Sequence, residues 1–160
     1  MAREGESDNA LVLAQLRRDE GAVRDREGRH LAYRCPAGKL TIGYGHNLDA
    51  WPIPGMVEGS VMVEQDALVL LEKDVNQVKA QVKQRFPWSV TLDFPRFAVL
   101  VNMAFNLGVG GLGAFTKTLQ AVENGDYAGA ARRMLVSIWA VQVGSRASRL
   151  SRQMETGQWQ

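Results

Sequence analysis

The sequence predicts an α+β fold that is mostly helical, with a small antiparallel sheet near the N-terminus and a long helix joining that sheet to a C-terminal helical lobe. Three observations carry this prediction. Apolar residues recur at helical spacing from about Met62 to Arg85, and a second apolar stretch of helical period runs from about Leu92 to Leu107. Between Gly21 and His46 the chain is rich in glycine and turn formers separated by short extended runs. A length of 160 residues with 46% hydrophobic content suits one packed globular domain.

The elements follow in order. Asn9 to Glu20 places Val12, Leu13, Leu16 and Glu20 on one helical face, and Gly21 supplies a stop, so Glu20 ends a buried stripe. Asp25–Gly28 and Cys35–Gly38 read as turns between short strands. A loop from Asn47 to Ser60 carries Pro52 and Pro54. In the long helix Leu68, Leu71, Val75, Val78 and Val82 form the apolar stripe, while Glu72, Lys73, Lys79 and Lys83 take the solvated side. Pro87 closes that helix. Val99, Leu100, Met103 and Phe105 mark the next helix, which ends at the glycine cluster Gly108–Gly113, and the remainder divides at Asn124–Gly125 and Gly144 into three shorter helices. The chain is thus read as a single domain, 1–160. Its sheet-containing lobe covers about 21–61, and its helical lobe covers about 86–160 plus the N-terminal helix; the helix at about 62–85 connects them.

Composition narrows the functional classes. The formal charge of +2 favours encounter with an anionic polymer without choosing among cell wall, nucleic acid and membrane surface. Cys35 is the single cysteine, so no intramolecular disulfide forms and the protein can fold in a reducing cytoplasm. The first twenty or so residues lack the apolar run and small-residue cleavage site of a signal peptide. No run approaches the roughly eighteen apolar residues of a membrane span, so no stable membrane insertion is expected. His46 and His30 are the only histidines and belong to no spaced ligand cluster, so neither a metal nor another cofactor is expected.

Two segments carry the chemistry: LRRDEG at Leu16–Gly21 and YRCPAGKLTIGYGH at Tyr33–His46. They are followed in order by NMAFNLG at Asn102–Gly108, GAFT at Gly113–Thr116, Ala130–Ala131, Trp139 and RASR at Arg146–Arg149. This ordered series resembles the phage-type lysozymes (endolysins) of glycoside hydrolase family 24, the T-even lysozyme group, over most of the chain. The resemblance implies a lysozyme-like fold and a muramidase that hydrolyses the β-1,4 bond between N-acetylmuramic acid and N-acetylglucosamine in bacterial peptidoglycan. It further implies a monomer made in the host cytoplasm, acting on the wall in the periplasm after a separate pore protein, a holin, permeabilises the membrane.

Glycoside cleavage commonly needs a protonated carboxyl for the leaving oxygen and a second group for water or nucleophilic attack. A carboxyl at the end of an apolar helical face is partly desolvated and so keeps its proton nearer neutrality. Glu20 meets that description, and the family's catalytic glutamate falls on it. Glu27, also followed by glycine, is the competing carboxyl, because a short insertion separates Glu20 from Tyr33. Its upstream positions Val23, Glu20 and Asp19 make a poor buried face, and Asp25–Gly28 reads as an exposed turn.

By resemblance, Cys35 occupies the family's second acidic position and Thr41 the third catalytic one. A thiol of pKa about 8.5 is a weaker neutral-pH base than a carboxylate. Cys35 can therefore position water, act as a nucleophile, or be a small packed residue while Thr41 holds the water. Thr41 can donate and accept through its hydroxyl. Gly43 and Gly45 permit close backbone approach. Arg146 is implied as the partner that orients the catalytic carboxyl, with Asn106 and Trp139 as saccharide-binding residues, although core packing is an equal use for Trp139. His46 is implied to pair with Asp74.

Three other functions compete. A lytic transglycosylase would cut the same polymer by internal attack, and a non-catalytic peptidoglycan-binding domain could keep the fold. A nucleic-acid binder could use Arg132, Arg133, Arg146, Arg149 and Arg152, but no helix-turn-helix or aromatic-basic platform accompanies them, and no nucleic-acid partner is expected.

Overall fold

The computed structural model describes residues 4–160 and divides into two compact units. One comprises Leu13–Asn76; the other is Gln77–Gln160 together with the start of the first helix up to Val12.

The sheet-containing unit begins within α1 (Glu4–Glu20), which starts earlier than the predicted Asn9 and ends at the predicted residue. Val12 and Leu16 are buried, as the stripe requires, and Gly21 takes φ +63, the left-handed conformation that ends a helix without a Cβ penalty. The strands are short: β1 (His30–Leu31), β2 (Tyr33–Arg34), β3 (Leu40–Ile42), β4 (His46–Asn47) and β5 (Val61–Met62). They form two antiparallel sheets, β2-β3-β4 and β1-β5, so the expected single sheet is in fact two, one of them completed by a strand beyond the predicted segment. Asp25 nucleates the first turn, its Oδ1 accepting the N–H groups of Glu27 and Arg29 at 2.9 Å each. The second turn closes when the Gly38 N–H donates to the Cys35 carbonyl at 2.7 Å. Ala32, Leu40, Ile42 and Leu48 make the unit's small core, covered by Ile53, Met56, Met62 and Leu70.

The long helix, α2 (Glu64–Arg85), matches the predicted span within two residues and buries Leu71, Val75 and Val82. It also supplies Asp74, whose Oδ2 lies 2.7 Å from His46 Nδ1, while His46 Nε2 lies 2.8 Å from the Trp51 carbonyl oxygen. The expected pair is therefore present. A neutral imidazole can donate to only one of two acceptors; the imidazolium donates to both. Burial pushes the His46 pKa down, but the Asp74 carboxylate and the Trp51 carbonyl outweigh it, and the net direction is up. A raised folded-state pKa stabilises the protein below the unfolded value near 6.5 and loses that contribution as pH rises through the folded value. His46→Asn is expected to cost on the order of 1–2 kcal/mol at pH 5, and the gap from the parent should narrow toward pH 9 in denaturant titrations.

The helical unit contains the rest of α2, a 3₁₀ turn (Pro87–Thr91), α3 (Phe94–Gly113), α4 (Thr116–Glu123), α5 (Tyr127–Leu135), α6 (Ile138–Val143) and α7 (Ser145–Thr156). Lys79, expected on the solvated side, is half-buried over the Phe94 ring and bonds Asn9. Two boundaries differ from the sequence reading. Helix α3 breaks at Gly108 (φ +76, ψ 157), where the sequence reading ends it, but a further helical stretch that was not expected carries the span on to Gly113. The segment after Asn124–Gly125 holds three helices where two were expected, giving four after α3, because Ser137 starts a new one by accepting the Ala140 N–H on its Oγ at 3.2 Å. Helix α3 is long and apolar enough to cross a membrane, but its run Phe97–Ala104 is buried core. Arg96 fastens the end of α7, donating to the carbonyls of Met154 at 2.7 Å and Glu155 at 2.8 Å, with its guanidinium 3.8 Å from the Tyr127 ring centre.

Candidate active site

Within the sheet-containing unit, the structure brings Glu20, Tyr33, Cys35, Thr41 and Gly45 together. Helix α1 delivers Glu20 at its last residue, half-buried. Gly45, φ +82, passes so close that a Cβ there would lie 3.1 Å from Glu20 Oε2 and 3.4 Å from its carboxyl carbon. The glycine is thus required twice, for backbone conformation and for carboxyl clearance. Gly43, φ +64, makes the other expected close approach, to Ala67, with an ordinary 3.6 Å Cβ contact.

Thr41 lies opposite Tyr33 in the β2-β3 pairing and is buried. Its Oγ1 donates to the Lys39 carbonyl at 3.1 Å. Cys35 is half-buried at the head of its turn, and its thiol pKa is lowered: the Lys39 N–H is the main cause, assisted by the Ala37 N–H and the Thr41 hydroxyl and opposed by desolvation. Turn and hydroxyl therefore favour the thiolate over an ordinary thiol. The Tyr33 phenol is pushed up, chiefly by burial and further by the charges of Cys35 and Glu20. Tyr33 was not singled out from sequence, although it stands opposite Thr41 and two residues before Cys35, on the same strand face by period.

Glu27 does not enter this cluster. It lies in the exposed turn, 71% exposed at its side chain, with Arg29 NH2 3.1 Å from its Oε2.

A second cluster, also missed from sequence, lies beside the Gly45 segment. Glu64, the first residue of α2, accepts from the Tyr44 hydroxyl at 2.6 Å and from Arg24 NH2 at 2.7 Å, and lies 2.6 Å from His30 Nε2. Arg17, one turn before Glu20 on α1, reaches it at 3.4 Å and lies over the Tyr44 ring. Desolvation raises the Glu64 pKa, but the bonds from Tyr44, His30 and Arg24 prevail and bring it down to about 2. A depressed carboxyl contributes stability above its unfolded value of 4.5 that is lost as pH falls through about 2. The carboxylate is 37% exposed, so solvent screening reduces the contribution to roughly 1–2 kcal/mol. Glu64→Gln is expected to lose that amount at pH 6 and nothing near pH 2, measured by acid unfolding of parent and variant.

In the helical unit, Trp139 is 3% exposed and donates its Nε1 hydrogen to Asn106 Oδ1 at 3.0 Å, so Trp139 is packed core and fixes the exposed Asn106 amide. Arg146 is buried, its Nε donating to Asn102 Oδ1 at 2.9 Å and NH2 approaching the Asn102 carbonyl at 3.4 Å. Asn102, quoted only as part of a motif, thereby helps to anchor Arg146. Among the described residues no cluster of His, Cys, Asp and Glu could hold a metal ion.

A mostly helical α+β chain with a helix-terminal carboxyl set against a small hairpin has the architecture of a lysozyme-type glycosidase. Residues 24–156 match the phage lysozyme family, and the chain belongs to that family, which places it among the glycosidases. It is 30% identical to the pre-baseplate central spike protein Gp5 of Enterobacteria phage T4 over 93% of its own length, and spans only 28% of that protein. It is 32% identical to the endolysin of Acyrthosiphon pisum secondary endosymbiont phage 1, over 81% of this chain and 77% of the endolysin. Glu20 precedes the residues matched to the family, so its role rests on the geometry around Gly45.

Proposed function

We propose that the chain is a muramidase that hydrolyses the β-1,4 bond between N-acetylmuramic acid and N-acetylglucosamine in peptidoglycan, with Glu20 as general acid. The observation that carries this reading is the Glu20 carboxyl, set against Gly45 in one cluster with Tyr33, Cys35 and Thr41. Glu20 gives its proton to the glycosidic oxygen as the C1–O bond breaks; a water oxygen bonds to C1, and its proton passes to the Cys35 thiolate. Thr41, whose single hydroxyl proton is shared between the Lys39 carbonyl and the Cys35 thiolate, presents oxygen lone pairs that accept from that water. The orienting role expected of Arg146 and the saccharide binding expected of Asn106, which the packed Trp139 holds through its indole N–H, belong to the same proposal, as do a monomeric state and action on the wall of a lysing host after release through a pore protein.

Digestion of purified peptidoglycan with mass analysis of the products tests the reaction. Reducing muramic ends are expected; anhydro-muramic ends would mean a lytic transglycosylase, and binding without cleavage a wall-binding domain. Cys35→Ser, which removes the favoured thiolate, is expected to lower turnover about 10- to 100-fold. Unchanged activity in that variant would return the water to Thr41 alone.

A further inference from the structure

The corner between α5 and α6 carries a surface that the proposed reaction does not use. Val136 is 86% exposed, Ile138 79% and Val141 85%, with Leu135 beside them at 49%. Ile138 and Val141 stand one turn apart on one face of α6, while Trp139 on the same helix is buried. These aliphatic groups are open to solvent. Isolated exposed apolar residues are ordinary, but several within one short corner mark an interaction surface.

The flank of this corner is cationic. Arg132 and Arg133 occupy the last turn of α5, and neither guanidinium has a hydrogen bond or ion pair among the described residues. Both line a groove of about 220 Å³ that Val136 closes on one side, with Gly129 and Asp126 in its wall. A second groove of about 360 Å³ shares Arg133 and Asp126 and adds Lys117. Asp126 is the only acid in either lining, and its Oδ1 already accepts the Gly129 N–H at 2.9 Å as the cap of α5. Three cations therefore face one carboxylate that is already engaged.

We infer that this corner docks peripherally on an anionic phospholipid surface, with Val136, Ile138 and Val141 entering the interface and Arg132, Arg133 and Lys117 meeting headgroup phosphates. Charge complementarity selects the occupant. Unpaired guanidinium groups match phosphate oxygens, and the exposed aliphatic side chains that follow them in the chain match the acyl boundary. A hydrated wall polymer would answer the cations and leave the aliphatic groups in water. A neutral protein partner would bury the aliphatic groups and leave the cations unanswered.

Vesicle sedimentation tests the inference, using the whole chain with phosphatidylcholine vesicles with and without phosphatidylglycerol. Binding is expected only with phosphatidylglycerol and should weaken as salt is raised. The combined Val136→Ser, Ile138→Ser, Val141→Ser variant is expected to lose at least 10-fold in partitioning, and Arg132→Gln and Arg133→Gln roughly five-fold each. All replace exposed side chains, and circular dichroism checks their folding. Glu20→Gln should bind vesicles like the parent, which separates this inference from the proposed chemistry. It is overturned if neither vesicle binds, if both bind equally, if the substitutions change nothing, or if they abolish only binding to purified peptidoglycan or a self-association seen in sedimentation velocity.

Discussion

Replacing Glu20 by glutamine is expected to lower glycan cleavage by roughly 10²- to 10⁴-fold with the fold intact. The substitution keeps the shape of the side chain and its position against Gly45, and removes only the transferable proton. Glycosidic oxygen is a poor leaving group unless protonated as the bond breaks, so the loss falls on turnover instead of substrate affinity. Glu27→Gln supplies the comparison: its carboxyl is exposed and bound to Arg29, so activity should stay within two-fold or so of the parent, as for an ordinary surface change. The measurement is release of reducing ends from purified peptidoglycan at matched protein concentrations, with circular dichroism to confirm folding. An active Glu20→Gln beside an inactive Glu27→Gln would transfer the acid to the inserted hairpin and remove the basis for the proposed mechanism.

The contrast between those two carboxyls shows what could be read in advance. Glu20 was legible because its helix repeats apolar residues at 3.6-residue spacing, and a burial stripe identifies the residue at its end. The stripe of α2 and the two turns at Asp25 and Cys35 were legible for the same local reasons. Three features were not. The β1-β5 pairing joins two-residue strands far apart in the chain, too short for any period to register. The break between α5 and α6 depends on one serine cap inside a run that otherwise reads as continuous helix. The Glu64 cluster gathers a helix-start carboxylate, a hairpin arginine, a histidine and a tyrosine from four places, and each looks like a solvated or aromatic residue until the fold assembles them. Local periodicity thus located the proposed acid, while the residues that hold its surroundings depend on long-range pairing.

Those surroundings make Gly45→Ala the second large effect. At φ +82 an alanine is strained by about 1–2 kcal/mol, which for a domain of this size lowers Tm by roughly 2–8 °C. Strain alone would leave activity near the parent's. The added Cβ, however, would meet Glu20 Oε2 at 3.1 Å, a few tenths of an ångström inside ordinary contact, and the carboxyl must give way. Since a displacement of about 1 Å can cost 10²-fold, a smaller shift of the proton donor is expected to lower turnover at least about 10-fold. Gly43→Ala isolates this effect. It carries the same kind of strain at φ +64, but its Cβ would meet only Ala67, at 3.6 Å. Both variants should lose similar stability in thermal melts, and only Gly45→Ala should lose most of its turnover. Equal turnover in the two variants would mean that the carboxyl moves aside freely and that its position against Gly45 has no part in catalysis.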